Sequence, residues 1–183
     1  MIEPLVPPFE PDVAAQLEQM MPAGAPPIAL FRTFGKNLPM TKAMHAWGSY
    51  ELGRTLSLSL REREIVIDRT CARCGCEYEW GVHVAFFAAK AELTAAQIGS
   101  LTRGEAADAC WESERERLLI ETVDALHHTS DISDTLAERL ARELTEAEQL
   151  DLFLLTGWYH AISFVANAAR VPLEQGAPRF AGD

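Results

Sequence analysis

The sequence predicts an all-α protein, a helical bundle built on antiparallel helix hairpins. Three observations carry that prediction. Apolar residues recur at helical spacing along most of the chain, two capping boxes mark helix starts, and no stretch alternates apolar and polar residues as a half-buried strand would.

Each element can be justified in order. Prolines cluster at Pro4, Pro7, Pro8 and Pro11 and again at Pro22, Pro26 and Pro27, and "DVAAQLEQMM" makes a short helix between them. Residues 28–53 predict one or two further helices, "IALFRTFGKN" and "MTKAMHAWGSYEL", broken near Pro39 and ended near Gly53. Ser59 followed by Glu62 is a capping-box pair that places a helix start at Leu60. Ile67, Cys71 and Cys74 then form one stripe at i, i+4, i+7, and Gly75 is a plausible stop; the "IVI" run taken alone is also compatible with a strand. A second helix is predicted from about Cys76 to Ala91, and a short one at "LTAAQIGSL". Further on, Leu118, Leu119, Val123 and Leu126 share a face, as do Leu136, Leu140 and Leu144. The last helix opens with the Thr145–Glu148 capping box and is apolar nearly all round, which predicts the central helix of the bundle. "W80GVHVAFFAAK" and "W158YHAISFVAN" echo one another, each placing a tryptophan shortly before a histidine.

A chain of 183 residues suits one domain, expected over residues 1–183 with a Pro-rich segment at 1–27 and a core motif at about 55–100. Its apolar fraction of 48% and charged fraction of 23% are those of an ordinary globular protein. A formal charge of −11 argues against nucleic acid or an anionic membrane as partner. The N-terminal "MIEPLVPPFEPD" lacks the basic and apolar regions of a secretory leader. The apolar run 152–169 carries Thr156, His160, Ser163 and Asn167 and predicts a buried core helix rather than a membrane span. Four cysteines, three of them crowded together, do not form the framework of a secreted disulfide scaffold, so a cytoplasmic location is expected.

The chemistry concentrates in residues 71–83, "CARCGCEYEWGVH". On a helix starting near Cys76, residues Cys76, Glu79 and His83 share a face. If the chain folds back at Gly75, Glu64 lies about 16 Å before the turn and His83 about 12 Å after it, at 1.5 Å per residue. A Glu64–His83–Glu79 cluster follows, with Cys76 at a helix N-terminus whose dipole favours thiolate. Carboxylates on either side of an imidazole raise its pKa and fix its tautomer, which suits a proton shuttle. The plain alternative is a salt-bridged helix with one histidine, and Tyr78 and Trp80 could equally be packing residues. Zinc held by Cys71, Cys74, Cys76 and His83 fits no common ligand spacing. A Cys71–Cys74 redox pair would sit at a helix C-terminal end, where the dipole opposes thiolate. Cys110 stands alone.

"REREIVIDRT…GCEYEWGVHVAFFAAKAELT" closely resembles the carboxymuconolactone decarboxylase family, which includes the alkylhydroperoxidase D-like proteins. The resemblance implies an all-helical fold in which Glu64 matches the family glutamate, Cys76 the first cysteine of a C-x-x-C-x-x-x-H motif, and His83 its histidine. Glu79 stands where the peroxidase branch has its second, peroxidatic cysteine, so the dithiol–disulfide cycle has no partner there. Cys71 and Cys74 lie outside the family positions. The "EYEW…H" form looks more like the decarboxylase-like branch.

The expected function is therefore acid–base chemistry on a small organic acid or lactone. His83 would be the acid/base, Glu64 its orienting group and Glu79 a second acid/base. Cys76, Tyr78, Trp80 and His160 would line the pocket, and Arg32, Arg61 or Arg69 would receive the substrate's charge. The alternative is a thiol peroxidase or disulfide reductase (peroxiredoxin activity) using Cys76 with Cys74 or Cys71; a further one is a helical oligomer without catalysis. No cofactor or metal is expected. The resemblance implies a homo-oligomer: a dimer, trimer or hexamer.

Overall fold

The structure, a computed structural model, describes residues 1–180. Among these residues every regular element is a helix. Pro11–Gln19 forms α1, Ala29–Phe34 forms α2 and Leu38–Glu51 forms α3. Pro39 falls in the first turn of α3, where its missing N–H costs no hydrogen bond, and Asn37 caps that turn by accepting from the Met40 N–H. Both capping boxes form as the sequence predicts. Ser59 and Glu62 start α4 (Leu60–Arg73), so the "IVI" run is helical. Thr145 and Glu148 start α9 (Glu146–Ala169). Between them lie α5 (Glu77–Phe87), α6 (Ala95–Arg103), α7 (Glu114–Thr129) and α8 (Asp134–Glu143). Helix α5 stops one turn before the predicted Ala91, because Glu92 takes φ 54° and the Leu93 N–H closes back on the Ala88 carbonyl.

The reversal between α4 and α5 occurs at Gly75, whose φ of 59° a residue with a Cβ adopts only at a cost. The Cys76 N–H reaches back to the Cys71 carbonyl at 2.8 Å, which closes the turn.

The centre of the bundle is not the helix that hydropathy predicts. Helix α4 packs against α5, α6, α7 and α9, and every residue from Arg63 to Cys71 is buried. Helix α9 turns one face to α4, α5 and α7 but leaves Leu150, Leu154 and Phe164 exposed on the other. The charge-rich α4 tolerates the centre because its ions are paired. Arg69, fully buried, binds both oxygens of Asp124 on α7 and the carbonyls of Ser100, Leu101 and Gly104. Arg61 binds Glu116 at 2.6 Å. Removing one partner of such a buried pair is costly, so these contacts specify which helices surround α4.

The chain after α9 crosses the outer side of α5. A Cβ on Gly81 would meet the Pro178 carbonyl at 2.6 Å, so only glycine permits this approach. Phe180 packs on the Trp80 ring at 5.0 Å, and its N–H donates to Glu77 at 2.7 Å.

Candidate active site

The α4–α5 hairpin brings Glu64 and His83 to the same level, and Glu64 Oε2 accepts from His83 Nδ1 at 2.8 Å. The other Glu64 oxygen is held by Arg63, with Nε at 2.8 Å and Nη2 at 2.7 Å. On the far side of the ring, His83 Nε2 meets the Tyr159 hydroxyl of α9 at 2.9 Å. Glu79, one turn before His83 on α5, places Oε2 3.9 Å from the same nitrogen, and its other oxygen has no partner. The Phe87 ring lies 5.3 Å from the imidazole and 5.2 Å from the Arg63 guanidinium, which it shares as a stacking surface. The result is a continuous chain, Arg63–Glu64–His83–Tyr159, in which Glu64 is 0% and His83 4% exposed.

The electrostatics follow from burial opposed by pairing. Burial alone would raise the Glu64 carboxyl, but His83 and Arg63 outweigh it and hold the group below the ordinary value. Burial alone would lower His83, yet Glu64, Glu79 and Asp68 outweigh it and raise the imidazole above 6.5. Glu79 is pushed up by burial, an effect that His83 only partly offsets. Tyr159 is pushed well above its ordinary range, by burial first and then by Glu79 and Glu64, so the phenol keeps its proton. Asp68, one turn after Glu64 on α4, is 1% exposed and neither oxygen has a partner. Burial and the Glu64 charge raise it far above 3.8.

Residues 41–121 match the carboxymuconolactone decarboxylase family. Glu64, Cys76 and His83 all fall within that match. No curated protein matches the sequence significantly. Among solved structures, the fold is similar to that of an uncharacterized peroxidase-related protein with an alkylhydroperoxidase AhpD core from Ralstonia eutropha JMP134. The TM-score is 0.80 at 15% identity, over 96% of this chain and 94% of that one. An uncharacterized peroxidase-related protein from Silicibacter sp. TM1040 gives the same TM-score of 0.80 at 15% identity, over 97% of this chain and 92% of that one. The debrominase Bmp8 gives a TM-score of 0.69 at 14% identity, over 96% and 92%. At these identities the likeness establishes an AhpD-like helical fold.

The remaining predicted site residues are distributed differently from expectation. Cys76 is the N-cap of α5 and fully buried, and burial raises its thiol to about 11. Desolvation there exceeds the help of the helix dipole on which a thiolate was expected. Cys71 is likewise buried and raised well above its usual range. All four cysteines are free, and Cys71, Cys74, Cys76 and His83 do not assemble into a four-ligand site. The Tyr78 hydroxyl donates to Glu174 at 2.6 Å and accepts from the Leu30 N–H at 3.0 Å, which ties α5 to α2 and the C-terminal segment. Trp80 is buried against Phe180 with its indole N–H unpartnered. His160 does not meet His83; its ring faces His127 at 2.9 Å. It is the neighbouring Tyr159 that reaches the site, because adjacent residues on a helix point about 100° apart.

None of the three expected arginines serves the site. Arg32 donates to the Leu5 carbonyl, Arg61 binds Glu116, and Arg69 binds Asp124. The guanidinium at the site is Arg63, the residue next to the motif glutamate. It also lines a cavity of about 360 Å³ with Arg54, Leu56, Leu58 and Leu60. Sequence reasoning missed Arg63, Asp68 and Tyr159. The Glu64–Asp68 spacing of one helical turn was a readable signal for Asp68, whereas nothing local distinguishes Tyr159 from His160.

Proposed function

We infer that this chain is an acid–base enzyme that transfers protons to and from a small organic acid or lactone, in the manner of the decarboxylase-like branch of its family. The observation that carries this reading is the unbroken chain from Glu64 through His83 to the Tyr159 hydroxyl. Glu64 fixes the imidazole with Nδ1–H toward it, so the exchangeable position is Nε2, which faces the phenol. A protonated His83 can hand its Nε2 proton to Tyr159 as the phenol gives its own proton to substrate. In a decarboxylation, the C–C bond to the leaving carboxylate breaks and its electron pair stays on carbon, delocalised into a neighbouring carbonyl. Carbon dioxide departs, and the carbanion takes the proton from this relay. Arg63 and Arg54 line one cavity, where a substrate carboxylate would meet their positive charge. Glu79 and Asp68 keep the buried site's acids close to His83 without competing for its nitrogens at hydrogen-bond range.

The thiol-dependent alternative has less support. Glu79 occupies the position of the second cysteine, and burial disfavours thiolate at Cys76 and Cys71. Turnover of a panel of small keto acids and unsaturated lactones separates the readings. His83→Ala and Tyr159→Phe are expected to lower it by about 10²- to 10⁴-fold, the usual worth of a positioned acid or base, while Cys76→Ser leaves it near wild type. Loss of two thiols per chain on exposure to peroxide, with activity dependent on Cys76, would instead establish the peroxidase reading. Wild-type inactivity in both assays would favour a fold that has shed its chemistry.

A further inference from the structure

Outside the Glu64–His83–Tyr159 chain, three helices converge on a second cluster of chemically active side chains. Cys74 is the C-cap of α4, His127 lies in the last turn of α7, and His160 is in the second half of α9. The Cys74 thiol and one ring nitrogen from each histidine all lie within 4.8 Å of one another, and all three residues are half-buried. We propose that Cys74, His127 and His160 form a binding site for a single divalent transition-metal ion of the zinc class.

The hydrogen bonds around the cluster already favour the metal-binding forms. His160 Nδ1 lies 2.9 Å from the Thr156 carbonyl, which can only accept, so Nδ1 carries the proton and Nε2 presents a lone pair. A ligating histidine is commonly oriented in this way, its outer nitrogen donating to a backbone carbonyl. His160 Nε2 faces His127 Nδ1 at 2.9 Å. Two imidazole nitrogens at that distance must share one proton, and a metal ion can take the place of that proton. Tetrahedral zinc with N bonds of 2.0–2.1 Å sets its two nitrogens about 3.3 Å apart, so the rings need to part by only about half an ångström. The Cys74 backbone is held by Asn167, whose Nδ2 donates to its carbonyl at 3.0 Å.

The cluster itself supplies the negative charge a cation needs, through the Cys74 thiolate. Arg73 and the buried Arg69 share the Asp124 carboxylate, Arg73 Nε at 2.7 Å and Arg69 Nη2 at 2.6 Å. Binding the ion releases the Cys74 thiol proton to solvent, and the His127 proton shifts from Nδ1 to Nε2. One thiolate and two imidazoles then hold the metal, and a water completes four-coordination. Three protein ligands with one open position is the arrangement of a catalytic rather than a closed structural zinc. A thiolate with imidazoles also selects zinc over magnesium or calcium, which want oxygen.

The test is a titration of the full chain, reduced and freed of metal by chelator, with cobalt(II) and then zinc(II). One equivalent of cobalt is expected to give intense tetrahedral d–d bands and a thiolate-to-cobalt charge-transfer band, which one equivalent of zinc removes. Zinc should also protect one thiol per chain from alkylation, located at Cys74 by peptide mapping. C74S should lose the charge-transfer band. H127Q and H160Q should each weaken zinc binding by about 100-fold or more, since outer-shell partners alone are worth up to that much. C110S should change nothing. A weak octahedral spectrum, a charge-transfer band that survives C74S, or zinc affinity unaltered by both histidine variants would overturn the proposal. If C74S does not fold, the protection of Cys74 in the wild-type chain decides the question.

Discussion

His83 and His160 occupy equivalent places in two similar stretches of sequence and live in different chemical worlds. His83 is 4% exposed, held between a carboxylate and a phenol, and carries a raised pKa. His160 is half-buried and faces a second imidazole and a backbone carbonyl. What separates them is the partner supplied by another helix. An ionised carboxylate offers a buried imidazole a counter-ion and makes it a proton carrier. Another imidazole offers only a lone pair to share, which makes the pair a potential ligand set.

The sharpest way to break the comparison is to truncate both. His83→Ala leaves Glu64 buried with Arg63 as its only ionic partner and should destabilise the protein by about 3–5 kcal/mol in urea unfolding, as breaking buried pairs does. His160→Ala should cost about 0.5 kcal/mol or less in metal-free protein, because it is half-exposed and its bonds pass to water. Equal losses at the two positions would mean that His83 gains nothing special from its carboxylate.

A smaller effect sharpens the same point through pH. The Glu64 pKa is depressed in the fold, so its contribution is present above its unfolded value of 4.5 and fades as pH falls through the lower folded value. The His83 pKa is raised, so its contribution is complete below 6.5 and fades as pH rises through the higher folded value. The pair therefore contributes most between about pH 4.5 and 6.5. Glu64→Gln should lose about 1.5–3 kcal/mol inside that window, the usual worth of a hydrogen bond to a charged group, and progressively less outside it. NMR titration should show the His83 pKa lower in this variant than in wild type, because burial is then opposed only by Glu79 and Asp68.

The smallest expected change is at Asp68. Its folded pKa is raised by burial, so unfolding releases a proton at any pH above 3.8, which destabilises the native state increasingly as pH rises. Asp68→Asn removes that dependence. Relative to wild type, its Tm should improve by a few degrees between pH 4 and pH 7; no relative change would mean that Asp68 is ionised and has a partner.

Much of this molecule is legible before any coordinates. The boxes at Ser59–Glu62 and Thr145–Glu148 mark helix starts because the interaction that forms them spans only three residues. Glu64, His83 and Glu79 can be brought together on paper because helical rise and one turn at Gly75 set their heights. The likeness to the carboxymuconolactone decarboxylase family spans residues 41–121, which contain all three of these residues. Local reasoning fails where the answer depends on which helix lies alongside. The apolar α9 looks central by composition, yet α4 holds the centre because Arg61 and Arg69 pair with carboxylates on α7, and Arg63 reaches the Leu52 carbonyl and the Phe87 ring. Arg63 reads as one more surface charge until Leu52 and Phe87 are seen against it.

By itself the sequence determined the helices, the hairpin at Gly75 and the meeting of a glutamate with a histidine across it. All of these depend on distances along the chain, which bond lengths and helical rise set. Only the tertiary structure decided that Tyr159 and not His160 completes the relay, that Cys76 is too buried to ionise readily, and that Cys74 meets two imidazoles. Those outcomes depend on how helices from distant parts of the chain rotate and pack against one another. That is a property of the whole core's packing and desolvation, which no local stretch encodes.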